Sequence, residues 1–154
     1  GVNVANLPGA TRDELRGRRM GFIFQQSHML PNRNVLANVS LGLRTLGEPR
    51  KRAESAAWAA LERVGLRERA LARSGDLSGG ERQRAGIARA LVAEPGLVLA
   101  DEPTGNLDIA NSLSVLELLR TVPSADRMVV VVTHDARVAA IADRVLTLVD
   151  GRLT

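Results

Sequence analysis

The chain has 154 residues, of which 45% are hydrophobic and 25% are charged, so it is long enough to bury the core of one domain. It contains no cysteine and only two histidines, which excludes a disulfide framework, a thiolate metal site and a zinc site built from histidines. The 21 Lys and Arg residues exceed the 17 Asp and Glu residues only slightly and are dispersed, and aromatic residues make up 2%, so no nucleic-acid partner is expected.

The first half of the chain predicts one helix, one strand and a helical insertion. Residues 11–14, Thr-Arg-Asp-Glu, have the spacing of a capping box and predict that a helix begins at Thr11. The apolar residues 20–24 predict a strand that ends at Gln25. Residues 34–72 combine apolar positions at helical spacing with an Ala-, Glu- and Arg-rich composition, which predicts helices.

After residue 75, predicted helices alternate with short apolar strands. The strands are apolar throughout, which is typical of a buried, mostly parallel sheet covered by helices. Asp150 and Gly151 predict a tight turn near the end of the sequence. The predicted helices are 80–93, 109–120 and 136–142, and the predicted strands are 97–100, 128–133 and 145–149.

Residues 77–84 predict a helix whose first turn can bind an anion. Ser78 and Glu81 have the spacing of a capping box, and Gly79 and Gly80 leave backbone amides open to a ligand. The Ser78 hydroxyl and these amides would point at a phosphate, which the positive end of the helix dipole also favours. The alternative is an ordinary capped helix that follows a Gly-Gly loop.

Two adjacent carboxylates, Asp101 and Glu102, follow the predicted strand 97–100. Ligands of open α/β sheets bind at this end of the strands. Asp101 can hold a magnesium ion, directly or through water, while Glu102 polarises an attacking water. The alternative is a strand followed by a polar turn.

Two further polar residues follow predicted strands at the same edge of the sheet. His134 can hydrogen-bond a terminal phosphate or hold an attacking water, and a structural histidine is the alternative. Gln25 can contact magnesium or water through its amide, or it can be a turn residue. Together, an amide, two acids, an imidazole and a glycine-fronted helix predict phosphoryl transfer from a nucleotide to water.

The same segments, in the same order, resemble the motifs of the nucleotide-binding domain of ABC-type ATPases. Residues 77–83 are similar to the signature motif, residues 97–102 to the Walker B strand with its catalytic glutamate, and residues 105–108 to the D-loop. His134 resembles the switch histidine and Gln25 the Q-loop glutamine. The amino-acid sequences of these segments are similar to those of the lipoprotein-release, macrolide-efflux and cell-division branch of the family, which works on bacterial inner membranes.

The resemblance implies one incomplete ABC ATPase domain over residues 1–154. Its fold would be a P-loop NTPase-like, mostly parallel sheet flanked by helices, with a helical subdomain at 26–92 and an α/β core at 1–25 and 93–154. The family's phosphate loop, Gly-x-x-x-x-Gly-Lys-[Ser/Thr], does not occur in the sequence, whose one lysine is Lys51. We therefore expect an N-terminally truncated chain with little or no ATPase activity of its own and with an unpaired sheet edge.

The resemblance also implies a head-to-tail homodimer that holds two ATP molecules with Mg²⁺. Each ATP would lie between the phosphate loop of one subunit and the signature helix of the other. Ser78, Gly79, Gly80 and Gln83 would contact the ATP of the partner subunit, and Asp108 would reach across the dimer.

A transmembrane permease subunit is the second implied partner. Gln25 would sense the γ-phosphate and magnesium, and the helical segment after it would receive a coupling helix of the permease. Asp101 would bind magnesium and Glu102 would act as the base in ATP hydrolysis. The apolar runs are far shorter than the roughly 20 residues of a membrane span, so contact with a membrane would require a partner. The resemblance implies a peripheral protein at the cytoplasmic face of the bacterial inner membrane, bound through the permease.

Two alternatives remain at this point. ABC-class ATPases of DNA repair or chromosome structure share these motifs, but they carry long coiled-coil or zinc-bearing insertions where residues 26–77 have neither sustained heptads nor cysteine. A non-catalytic interaction module is the other alternative, should the short chain be the native product. The presence of Gln25, Asp101, Glu102 and His134 argues against that alternative.

Overall fold

The computed structural model of the protein describes residues 3–154, so Gly1 and Val2, which the predicted α/β core includes, lie outside the described residues. Within this range no helix is both long and apolar enough to cross a membrane. The α-helices are α1 (Gly9–Arg19), α2 (Val35–Thr45), α3 (Arg50–Arg63), α4 (Gly79–Leu91), α5 (Ile109–Arg120) and α6 (Ala136–Ala139). The strands are β1 (Met20–Ile23), β2 (Leu97–Asp101), β3 (Met128–Val132), β4 (Leu148–Val149) and β5 (Arg152–Leu153).

Strands β1, β2 and β3 form a parallel sheet in that order, with β2 in the centre. Met20 in β1 lies opposite Leu97 in β2, and Leu97 lies opposite Met128 in β3. Parallel strands require crossover connections, which α2, α3 and α4 provide between β1 and β2, and α5 provides between β2 and β3. The predicted parallel sheet flanked by helices is therefore confirmed, and the carboxyl ends of its strands meet at one edge.

Helix α4 joins the sheet to the other helices. It packs against β1 as well as against α2, α3 and α5. Its side chains Ile87 and Ala88 are fully buried, as is Val98 in the central strand. A Cβ atom at Gly21 in β1 would lie 2.4 Å from the carbonyl oxygen of Ala90, so β1 requires glycine where it meets α4. Helix α4 lies in the predicted helical subdomain but also packs against β1 of the predicted α/β core. The division of the chain at residues 26 and 92 therefore stays a prediction.

The loop between β1 and α2 is fixed by a buried polar residue, Asn38, in α2. Its side-chain oxygen accepts a hydrogen bond from the Leu30 amide at 2.8 Å, and its side-chain nitrogen donates to the Leu30 carbonyl at 3.1 Å. The Ser74 hydroxyl donates to the same carbonyl at 2.7 Å. Buried polar groups of this kind specify one loop conformation when they are hydrogen-bonded.

The predicted start of the first helix is wrong. Helix α1 begins at Gly9 after Pro8, with no side-chain cap, so Thr11 lies inside the helix. Pro8 is the N-cap residue, and its backbone, with φ −55° and ψ 148°, leads directly into the first helical turn at Gly9. This geometry places the first turn ahead of the capping-box sequence.

The prediction that residues 128–133 form a buried strand is also wrong in part. Strand β3 is present, but Met128 and Val132 are 64% and 63% exposed, and Val130 is 42% exposed. The exposed residues alternate along the strand, so they lie on one face of the sheet, and this face is uncovered at β3. In addition, β3 pairs only with β2 among the described residues, so one of its edges is open. The expectation of an unpaired sheet edge is confirmed.

The predicted strand 145–149 does not join the parallel sheet. Only Leu148–Val149 is a strand, and it pairs antiparallel with Arg152–Leu153. The predicted turn at Asp150 and Gly151 is present, and both residues have positive φ angles, of 48° and 78°. A two-residue turn of this kind favours a local hairpin, which leaves these apolar side chains exposed.

Candidate functional site

The predicted site residues lie just beyond the ends of the three parallel strands. Asp101 is the last residue of β2 and Glu102 follows it. Gln25 follows the end of β1, and His134 follows the end of β3. Because Asp101 lies opposite Val132 in the sheet register, the acids and the histidine share one edge.

Glu102 and His134 are in direct contact. The backbone amide of His134 donates to Glu102 Oε1 at 3.1 Å, and His134 Nδ1 lies 2.7 Å from the same oxygen. The other oxygen, Oε2, accepts a hydrogen bond from the Thr133 hydroxyl at 3.0 Å. Glu102 has a φ angle of +43°, a conformation that costs energy for a non-glycine residue and is often found at functional sites. The structure therefore holds this carboxylate in one orientation.

These hydrogen bonds determine the protonation of the pair. Desolvation by itself would raise the pKa of Glu102, but the hydrogen bonds from His134 and Thr133 outweigh it and hold the pKa below its ordinary value of 4.5. Glu102 is consequently ionised at neutral pH and can only accept hydrogen bonds. His134 must then carry a hydrogen on Nδ1, which leaves Nε2 to face outward from the pair.

Gln25 makes a different contact from the one that the sequence predicts. Its side-chain nitrogen donates to Asn106 Oδ1 at 3.2 Å. It also lies over Gly105, where an added Cβ atom would come within 2.9 Å of that nitrogen. The structure thus brings Gln25 to the loop that follows the two acids, and the amide oxygen is the atom able to bind a metal or water.

The donor set at this edge fits a magnesium ion. Asp101 is exposed at the end of β2, and Gln25 is exposed at the end of β1. Carboxylate and amide oxygens are suitable ligands for Mg²⁺, which usually keeps several waters and phosphate oxygens as its remaining ligands. Among residues 3–154 no group of three or more His, Cys, Asp or Glu side chains is placed to hold a metal ion by itself.

The predicted capping box at the start of α4 is confirmed. The Ser78 hydroxyl accepts a hydrogen bond from the Glu81 amide at 3.2 Å, and the Glu81 carboxylate accepts one from the Ser78 amide at 2.9 Å. Arg69 lies 3.1 Å from the same carboxylate. These contacts fix the first turn of α4.

The two glycines in the first turn of α4 have different surroundings. Gly79 is exposed, and an added Cβ atom would meet only Leu107, at an ordinary 3.7 Å. Gly80 is buried, and an added Cβ atom would lie 1.9 Å from Asn111 Oδ1 in α5. Gly79 therefore presents backbone to solvent, whereas Gly80 is needed for the close approach of α4 to α5.

Gln83 is buried, and its side-chain nitrogen bridges two strand ends. It donates to the Phe24 carbonyl at 3.0 Å and to the Pro103 carbonyl at 2.9 Å. These bonds connect α4 to the segments that carry Gln25 and Glu102. In the structure the side-chain nitrogen of Gln83 donates to backbone carbonyls. A contact between Gln83 and a nucleotide stays a prediction.

Asp108 caps the first turn of α5. Its carboxylate accepts hydrogen bonds from the backbone and side-chain nitrogens of Asn111, each at 2.8 Å. These bonds hold the pKa of Asp108 below its ordinary value of 3.8. Asp108 is exposed, which is compatible with a contact to a second subunit. That contact across a dimer stays a prediction.

Three residues of the site were missed by sequence reasoning, namely Thr133, Asn106 and Asn111. Thr133 directly precedes His134 at the end of a predicted strand. Its position could therefore have predicted a hydroxyl that donates a hydrogen bond to one of the two acids at that edge of the sheet. Asn111 stands three residues after Asp108, which is the spacing of a helix cap. The contact of Asn106 with Gln25 joins distant parts of the chain, and the sequence carries no local signal for it.

Comparison with known proteins supports one family. The family described as ABC transporter matches residues 3–105. The chain is 45% identical over 153 residues to the lipoprotein-releasing system ATP-binding protein LolD of Syntrophotalea carbinolica, covering 99% of this chain and 67% of that protein. It is 41% identical to the uncharacterized ABC transporter ATP-binding protein Rv2564 of Mycobacterium tuberculosis, of which it covers 46%.

Solved structures agree with this relationship. The dimeric structure of MJ0796, a bacterial ABC transporter cassette, superposes with a TM-score of 0.82 at 34% identity, and covers 96% of this chain and 66% of that one. A post-hydrolysis state of the same cassette, bound to ADP and Pi, also gives a TM-score of 0.82. The chain thus spans from about half to two thirds of the length of the relatives it matches. It belongs to the ABC transporter family and corresponds to about two thirds of an ATP-binding cassette of that family.

Proposed function

We propose that the native polypeptide containing this chain hydrolyses ATP and thereby powers transport through a membrane-embedded partner. The observation that carries the proposal is the carboxylate of Glu102, which His134 and Thr133 hold at the end of the central strand. The relatives named LolD are ATP-binding proteins of a lipoprotein-releasing system, and MJ0796 has been captured after hydrolysis with ADP and Pi. A DNA-repair or chromosome-type ATPase is not favoured by these relatives.

Glu102 would orient the attacking water and accept its proton. A carboxylate offers about four acceptor positions, of which His134 and Thr133 occupy three, so one remains for a water molecule. The lowered pKa of Glu102 makes it a weak base, and its main contribution would be to position the water. Such a role suits phosphoryl transfer, in which positioning and electrostatics supply most of the catalysis.

His134 would connect this carboxylate to the terminal phosphate. Its Nδ1 hydrogen is given to Glu102, so the outward Nε2 can accept a hydrogen bond when the ring is neutral and donate one when the ring is protonated. A phosphate oxygen accepts hydrogen bonds only. His134, held by Glu102, would thus place Nε2 beside the γ-phosphate and help to position it next to the carboxylate that orients the water.

Asp101 and Gln25 are the residues that would hold magnesium, which neutralises phosphate charge when bound. Gln25 would have to leave Asn106 or bind the metal through its amide oxygen while keeping that contact. The second arrangement needs no rearrangement of the loop. It is the simpler of the two.

The start of α4 would contact an ATP molecule held by a second copy of the native polypeptide. The exposed Gly79 amide, the Ser78 hydroxyl and the positive end of the helix dipole provide donors for phosphate oxygens. The dimeric MJ0796 cassette supports the pairing of two such domains. Gly80 and Gln83 would support this turn from the buried side, and Asp108 would face the other copy.

The loop that follows β1 would receive the permease. Phe24 and Leu30 are each 42% exposed beside Gln25, which gives a partner helix an apolar surface close to the nucleotide site. The cbiO1 cassette, a structural neighbour with a TM-score of 0.83, is described as part of the ABC transporter complex cbiONQ. We infer a peripheral location at the cytoplasmic face of a bacterial inner membrane, reached through this permease.

The test is release of phosphate from Mg-ATP by the native polypeptide. Glu102→Gln is expected to lower kcat by about 100- to 10,000-fold, the usual contribution of a general base, while ATP binding persists. Glu117→Gln, an exposed acid-to-amide change on α5, is the matched control and should hydrolyse ATP at the wild-type rate. Wild-type protein without hydrolysis, or equal rates in Glu102→Gln, would contradict the proposal.

A further inference from the structure

Arg89 in α4 holds the loop that carries Gln25. One guanidinium nitrogen, Nη1, donates to the His28 carbonyl at 3.0 Å, and the other, Nη2, donates to the Ser27 carbonyl. A planar guanidinium can bind two neighbouring acceptors at once, which a lysine ammonium at the same place cannot do with the same geometry. Two consecutive carbonyls of the loop are therefore fixed by one side chain.

The loop needs such support because its backbone is not relaxed. His28 has a φ angle of +46°, in a region that non-glycine residues rarely occupy. Conformations of this kind persist when surrounding contacts impose them. Ser27 is 93% buried against α4, and an added Cβ atom at Gly86 would come within 3.0 Å of the Ser27 Cβ atom. The close packing at Gly86 thus holds Ser27, and the two Arg89 bonds hold both Ser27 and His28.

The same helix also holds the other side of Gln25. Gln83 donates to the Phe24 carbonyl, directly before Gln25, and Arg89 holds Ser27, two residues after it. The backbone around Gln25 is consequently attached to α4 at both ends. Burial lowers the pKa of Arg89, but an arginine remains charged at neutral pH, so both bonds persist there.

We propose that Arg89 is a positioning residue for Gln25: it makes the Gln25 loop and the phosphate-facing start of α4 one rigid unit. This inference rests on the proposed function, because it assigns Gln25 a part in ATP hydrolysis. Arg89 itself touches neither nucleotide nor metal. It acts through the Ser27 and His28 carbonyls, which attach the backbone after Gln25 to α4.

The first test is hydrogen exchange of the native polypeptide. Arg89→Met keeps an unbranched apolar stem but removes both donors, and amides of residues 24–30 are expected to exchange about tenfold faster. Val122→Ala, at a buried position after α5, is the matched destabilising control and should not accelerate exchange in this loop selectively. Arg89→Lys keeps the charge and should give an exchange rate between those of the wild type and Arg89→Met. The lysine variant also serves as the folded variant if Arg89→Met does not fold. Unchanged exchange in residues 24–30 of both Arg89 variants would overturn the proposal.

The second test is a double-mutant cycle on kcat. Arg89→Met is expected to lower kcat by about 10- to 100-fold, the loss typical of residues that orient a metal ligand, with little change in the KM for ATP. Gln25→Ala should lower kcat similarly, and the double variant should lose little more, because both changes remove the same function. Additive losses, or a loss no greater than in Val122→Ala, would overturn the proposal. If wild-type protein lacks ATPase activity, the proposed function fails, and hydrogen exchange still decides whether Arg89 holds the loop.

Discussion

Thr133 joins Glu102 to the end of the neighbouring strand: its hydroxyl donates to Glu102 Oε2 at 3.0 Å and accepts a hydrogen bond from the Asp135 amide at 3.0 Å. The side chain therefore connects the carboxylate to the first residues of the turn after β3. Asp135 in turn accepts a hydrogen bond from the Arg137 amide and caps α6. The orientation of Glu102 thus depends on the conformation of the whole turn.

We predict that removal of this hydroxyl weakens hydrolysis without loss of ATP binding. Thr133→Val keeps the shape of the side chain but leaves Glu102 Oε2 without its donor, and kcat should fall by about tenfold, as expected from one lost hydrogen bond. Thr133→Ser retains the hydroxyl and is the matched control, with kcat close to that of the wild type. Phosphate release at saturating Mg-ATP measures the difference. Equal rates for the two variants would show that Thr133 does not orient the carboxylate.

Local sequence patterns predicted the helices and strands well where neighbouring residues decide the structure. The Ser78 and Glu81 capping box is an example, since both partners lie within one turn. Residues 11–14 have the same spacing, but Pro8 starts α1 earlier, so the pattern alone was insufficient. The strand at Met128–Val132 was found from its apolar residues, but an all-apolar run does not reveal whether its outer edge is covered.

The positions of the predicted site residues in the fold follow from the sequence more readily than the contacts between them. The register of parallel strands places Asp101, Glu102 and His134 at one edge, which follows from where each strand ends. The bond between Gln25 and Asn106 spans 81 positions in the sequence, and no periodicity encodes it. Likewise, the buried position of Gln83 depends on how α4 packs against the sheet, which side-chain type alone does not specify.

The two glycines at the start of α4 should respond differently to alanine. Gly80→Ala would force Asn111 to move, and because Asn111 also donates to Asp108, the α5 cap would be disturbed. We expect a loss of about 1–3 kcal/mol in the free energy of unfolding, as for other overpacked sites. Gly79→Ala meets only ordinary contact with Leu107 and should be neutral or slightly stabilising. Urea denaturation of the native polypeptide compares them, and a similar loss in both variants would contradict the packing argument.

The capping box makes the stability of α4 depend on pH through Glu81. The Ser78 backbone amide is the largest influence; burial opposes it, while the Ser78 hydroxyl and Arg69 add to it, and the pKa of Glu81 lies below its ordinary value of 4.5. A carboxyl group whose folded pKa is depressed contributes stability above its unfolded pKa and loses that contribution as pH falls through the folded pKa. Acidification from neutral pH should therefore weaken the first turn of α4 only below about pH 4.5.

Glu81→Gln isolates this contribution, because glutamine can retain the capping geometry but does not titrate. The variant should be less stable than the wild type at neutral pH, and the difference should shrink as pH falls below 4.5. Urea denaturation at a series of pH values measures it. Glu117→Gln controls for the loss of one carboxylate elsewhere on the surface. A difference between wild type and Glu81→Gln that stays constant with pH would show that the ionised carboxylate does not stabilise the cap.

The exposed edge of β3 should make the 154-residue polypeptide self-associate. Met128 and Val130 are 64% and 42% exposed on a strand whose outer edge is unpaired in the described part of the chain. Open apolar edges pair with other strands, and charged residues on the edge prevent this. The double variant Met128→Lys and Val130→Lys should therefore shift the polypeptide towards the monomer in sedimentation velocity at matched concentration. Leu71→Lys, at an apolar residue with 69% exposure that lies outside the sheet, is the control for added charge. If Leu71→Lys reduces association as strongly, general surface hydrophobicity rather than the β3 edge drives it.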